Sequence, residues 1–148
     1  VVRVLVWKLR MAVLWISLAA CQSASVTLLL FEPGFLSDFV AGRTPGVHVD
    51  TVGGQVLTAL FWLGPMAFAY LTLVLKDDAN RQANALLAGG GALYGVSALI
   101  ASPGESAGAN IVGVVAVLIQ LLIVWHAWKW PLADAPVSDH HREDAAPR

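Results

Sequence analysis

The chain has 148 residues, 57% of them hydrophobic and only 13% charged, and a formal net charge of −1; its mean hydropathy is +0.69. Charged residues at about half the usual ~25% cannot coat a water-soluble globule, and so apolar a chain is not a disordered one. Near-neutrality argues against nucleic acid, whose phosphates need a clustered basic face, and the single Cys21 excludes an intrachain disulfide or a cysteine-based zinc site.

The charges that are present divide the chain. No Asp, Glu, Lys or Arg occurs between Arg10 and Glu32, Asp50 and Lys76, Arg81 and Glu105, or Glu105 and Lys129. Each gap holds the roughly 20 helical residues that cross a ~30 Å hydrocarbon core. Four spans are therefore predicted near 11–31, 52–75, 82–101 and 110–128. Helices are required because backbone groups in lipid must bond within their own segment, and the runs lack the alternation of barrel strands. The predicted fold is an all-α polytopic membrane protein: an antiparallel four-helix transmembrane bundle occupying 1–131.

The first span begins after Arg3, Lys8 and Arg10, with Trp7 and Trp15 flanking its start. Leu18-Ala19-Ala20-Cys21 matches a bacterial lipobox, but the apolar run continues through Val26 to Phe31, so an uncleaved full-length span is expected. In the loop that follows, Phe35, Leu36, Phe39 and Val40 recur at helical spacing between Pro33 and Gly42. This predicts a short interfacial helix, opened by the proline and ended by the glycine.

Of the nine Lys and Arg, all but Arg43 fall before span one, between spans two and three, or after span four. That bias predicts both termini in the cytoplasm. Trp125, Trp128 and Trp130 mark the same interface at the end of span four, where Lys129 can snorkel and Pro131 stops the helix. Residues 132–148 are expected to form a disordered cytoplasmic tail.

Polar residues inside the spans are few. Gln22, Tyr94 and Gln120, with the Gly64-Pro65 break expected in span two, fall near one depth and form a candidate midplane cluster (Gln22, Pro65, Tyr94, Gln120). The plainer reading is that the amides bond across the bundle and hold helices together. Gly91 and Gly95 form a Gly-x-x-x-Gly pair that permits close helix packing, expected to be within the chain. Arg81, Asn84 and His126 share the cytoplasmic end and form a candidate vestibule, with Asn80 read as a helix cap. His48 and Asp50, and His140, His141, Glu143 and Asp144, sit in loop or tail without a rigid ligand set, so no metal or other cofactor is expected. No paired acid, phosphate loop or nucleophile motif points to an enzyme, and no carboxylate lies within a span as ion-coupled transport usually demands. The expected partners are the lipid bilayer and either a second copy of the chain or another membrane protein.

Asn80-Arg81-Gln82-Ala83-Asn84, the run Trp125-His126-Ala127-Trp128-Lys129-Trp130-Pro131, and Leu14-Trp15-Ile16 followed by Pro33-Gly34 carry a resemblance. In order and spacing they resemble a bacterial family of small four-span integral membrane proteins of unknown function, over nearly the whole chain except the tail. Members often carry a polar or acidic residue late in span one, where this chain reads Ser25-Val26-Thr27. The resemblance implies the four-span architecture and a place in a bacterial inner membrane, and supplies no activity or catalytic residue. Two functions are compatible with this reading: a non-catalytic accessory or helix-packing protein, or a small oligomeric carrier or channel for a neutral or hydrophobic solute.

Overall fold

The computed structural model describes residues 2–43, 51–101 and 106–130. Five helices follow one another: α1 (Val2–Leu29), α2 (Phe35–Val40), α3 (Val52–Val74), α4 (Asp77–Ala101) and α5 (Ala107–Trp128). The four long ones are each long and apolar enough to cross a membrane. They run up, down, up, down, which makes this an all-α four-helix bundle of the membrane-spanning type. The end at which α1 starts and α5 finishes is called the base below. The expected tail, together with His48 and Asp50, lies outside the described residues.

The spans are longer than the charge gaps. α1 starts at Val2, well before Met11, because Arg3, Lys8 and Arg10 do not break a helix. α4 starts at Asp77, where two acidic residues in the first turn suit the positive end of the helix dipole. Asn80 is therefore inside the helix and not its cap. Thr51 and Ser106 cap α3 and α5, accepting from Gly54 N at 3.1 Å and Ala109 N at 3.3 Å. α3 runs unbroken through Gly64-Pro65, contrary to the expected break; the proline removes one backbone bond, and the bonded turns on either side carry the helix across. α2 opens at Phe35 and not at Pro33, after Gly34 takes a left-handed conformation (φ 86°) that only glycine adopts without strain. Arg43 folds back to donate to Asp38 at 2.7 Å.

Antiparallel neighbours can be read from their facing residues. α1 meets α3 through Trp15 and Phe68, whose ring centroids lie 5.2 Å apart. α1 meets α5 through Trp7 and His126 at 5.3 Å. α4 meets α5 where Gly91 and Gly95 lie against Gln120 and Val117. The packing order across the bundle is thus α3–α1–α5–α4. α3 and α4, though joined by a tight turn, pack little against each other. Trp15 of α1 touches both, its ring against Phe68 of α3 and its indole bonded to Asn84 of α4.

The buried cluster sits in the basal half, with Met11, Trp15, Leu18, Ala69, Ile123 and Trp130 among its members. Elsewhere the large apolar side chains face outward: Leu57, Leu60 and Leu63 on α3, Leu86 and Leu93 on α4, Leu118 and Leu121 on α5. A water-soluble protein rarely shows so continuous an apolar exterior. This is a multi-pass membrane protein, its outer faces in contact with lipid.

Candidate functional site

The most polar part of the interior lies at the base, where α1, α3 and α4 converge. Thr72, Asn80 and Asn84 are completely buried and Trp15 nearly so. Asn80 and Asn84 are one turn apart on α4 and share a face. Asn84 Nδ2 donates to the Asn80 carbonyl at 2.7 Å and to Asn80 Oδ1 at 2.6 Å. Asn84 Oδ1 accepts from Trp15 Nε1 at 2.6 Å and from Thr72 Oγ1 at 3.3 Å. Asn80 Nδ2 donates to the Thr72 carbonyl at 2.6 Å. Both protons and both acceptor positions of the Asn84 amide are in use. The arrangement ties three helices together and presents no free polar atom of Asn84 to a ligand.

A second layer lies closer to the base. Lys8 Nζ donates to the Leu75 carbonyl at 2.7 Å and pairs with Asp77 at 3.1 Å, tying α1 to the α3–α4 turn. Across the bundle, Trp7 Nε1 donates to the His126 carbonyl at 3.0 Å, and the two rings are in contact. His126 Nδ1 lies 2.8 Å from the Leu122 carbonyl, so that nitrogen carries a proton and donates.

The candidate vestibule residues are not gathered in one opening. Asn84 is sealed within the three-helix lock, Arg81 is half-buried, and His126 turns to Trp7 on the α1–α5 seam. The midplane candidates are likewise dispersed. Tyr94 is 70% exposed on the outer face of α4. Pro65 is buried on α3, close to the level of Leu18 if the Trp15–Phe68 pairing is continued along the helices. Gln120 is buried against Gly91, and the α1–α5 pairing, continued along the helices, puts it near the level of Val13. Gln22 lies farther out by about nine residues, or about 13 Å of helix. No hydrogen bond joins the two amides among the described residues, and Gln22 Oε1 is buried without a partner.

Thr72 and Lys8 are the members that sequence reasoning missed. A threonine in an apolar helix usually bonds its own backbone, as Thr58 does to Gly54. Nothing in the local pattern marks Thr72 as different. Among the described residues, no group of three or more His, Cys, Asp or Glu is placed to hold a metal. No family model, no curated protein and no solved structure matches the chain.

Proposed function

We propose that this chain is a non-catalytic protein of a bacterial inner membrane that acts as an accessory or helix-packing partner of another membrane component. The observation that carries this reading is the closed hydrogen-bond circuit of Trp15, Thr72, Asn80 and Asn84. The polar groups best placed to do chemistry in the interior serve each other, as they do in a structural pin. The resemblance to small four-span bacterial proteins is compatible with the same role. Crosslinking in native membranes is expected to capture one partner protein in fixed stoichiometry with the chain.

A carrier for small neutral solutes is the competing reading, favoured by the unpartnered Gln22 Oε1. Purified protein in liposomes is expected to leave glycerol permeability, followed by stopped-flow light scattering, at the protein-free rate. Glycerol flux that falls in Gln22→Leu or Gln120→Leu would establish the carrier and overturn the accessory role.

Both termini are proposed to be cytoplasmic, because Arg43 alone among the Lys and Arg residues falls on the opposite side of the bundle. With Cys21 replaced by serine, Arg43→Cys is expected to react with an impermeant maleimide in intact cells. Lys76→Cys is expected to react only after permeabilisation, and the reverse pattern would invert the assignment.

A further inference from the structure

We propose that the outer seam between α1 and α5 at the base binds the phosphate of an anionic phospholipid. Arg10 and Lys129 are both exposed, yet each is held over a tryptophan face: Arg10 Cζ lies 5.9 Å from the Trp7 ring centroid and Lys129 Nζ 4.1 Å from that of Trp125. Among the described residues the ion pairs are made by Lys8 and Arg43, so neither of these two cations is matched by a carboxylate.

The two cations belong to one surface. Trp7 contacts His126 across the seam, and Arg10 stacks on that same Trp7. At 100° per residue, Lys129 leaves the chain between Trp125 and His126, on the side of Trp125 nearer the seam, and its ammonium turns onto the Trp125 ring. Arg3, one turn before Trp7, projects to the same side as Arg10, whereas Lys8 points away to α3 and is occupied there. The result is a floor of aromatic rings edged by cations whose charge is uncompensated. Beyond Trp125, on the flank of α5 that turns toward α4, runs an apolar cleft lined by Leu121, Val124, Trp125, Trp128 and Lys129, which Lys129 joins to that floor and which can receive an acyl chain. A phosphate with an attached hydrocarbon tail complements both parts, and basic pockets between membrane helices bind such headgroups. Tryptophan at the headgroup level sets the depth.

The proposal requires only that the helices lie in a bilayer. Its failure would leave the accessory reading unaffected. The test is native mass spectrometry of the full chain in neutral detergent, titrated with phosphatidylglycerol or phosphatidylcholine of identical acyl chains. The wild-type protein should retain phosphatidylglycerol at least about 10-fold better. At about 5-fold per cation, Arg10→Gln combined with Lys129→Gln should weaken retention by roughly 25-fold and abolish the preference. Lys76→Gln combined with Arg81→Gln, which removes two cations at the same end but off the seam, should change it by less than about 3-fold. Equal loss in the two double variants would show general attraction to a basic end, and equal retention of the two lipids would show no headgroup recognition. Displacement of the lipid by millimolar inorganic phosphate would identify free phosphate as the ligand. Each of these three results would overturn the proposal.

Discussion

Asn84→Leu is expected to destabilise the bundle by about 2–3 kcal/mol, measured by unfolding in mixed detergent micelles with far-ultraviolet circular dichroism. Leucine has the same branched four-atom skeleton as asparagine, so it fills the site with somewhat bulkier methyl groups and loses every bond. The indole N–H of Trp15, the hydroxyl of Thr72 and Oδ1 of Asn80 all lose a partner at once. Hydrogen bonds between membrane helices average only ~0.6 kcal/mol each, because the unfolded helices in lipid also find partners. Two such bonds and a third to Asn80 within α4, all on groups that water does not reach, account for the larger figure. Bond length ranks the neighbours. Trp15→Phe removes a 2.6 Å bond while keeping most of the ring contact with Phe68, and is expected to cost about 1 kcal/mol. Thr72→Val removes a 3.3 Å bond and is expected to cost less than about 0.5 kcal/mol. Trp15→Phe in the Asn84→Leu background should cost less than in the wild type, since its acceptor is already gone and only the lost ring packing remains. An Asn84→Leu variant as stable as the wild type would show that the circuit does not hold the helices together.

The spans were legible because a charge in hydrocarbon is costly, so gaps between charges outline the membrane. Which face of each helix turns inward was much less legible. In α5 both faces are apolar: Ile123 is fully buried while Leu121 and Leu122 face outward, and lipid and protein core make the same demand on each. Polar residues break that degeneracy, which is why Asn80 and Asn84 stood out although their partners did not. The supposed midplane cluster failed for a different reason. Depth was counted from the centre of each charge gap, and α1 begins at Val2 and not near Met11. With the real facing pairs, Gln22 and Gln120 fall at different levels. Tyr94 illustrates a further limit. Its depth could be counted, but its azimuth depends on Gly91 and Gly95 being the residues that face α5.

Those two glycines give the second large effect, and they are not equivalent. A Cβ at Gly91 would sit 2.6 Å from Gln120 Nε2, the tip of a flexible side chain that can swing aside. A Cβ at Gly95 would sit 2.8 Å from Val117 Cγ2, on a β-branched side chain held to essentially one rotamer in a helix. At Gly95 the strain must therefore be relieved by moving α4 away from α5, along the seam where these two helices pack. Against this stands the better helix propensity of alanine, worth about 1 kcal/mol at either position. Gly91→Ala is accordingly expected to be neutral to slightly stabilising in the micelle unfolding assay. Gly95→Ala should lose up to about 2 kcal/mol, after an overpacking cost of ~1–3 kcal/mol. Gly95→Leu cannot be accommodated with α4 and α5 in contact, and a loss of at least about 3 kcal/mol is expected. The diagnostic experiment is the pair Gly95→Ala and Val117→Ala. Removing Cγ2 vacates the site that the new methyl group needs, so the double variant should be more stable than the two separate losses add up to. Strict additivity would mean that α4 and α5 do not meet at Gly95, and the packing order α3–α1–α5–α4 would have to be redrawn.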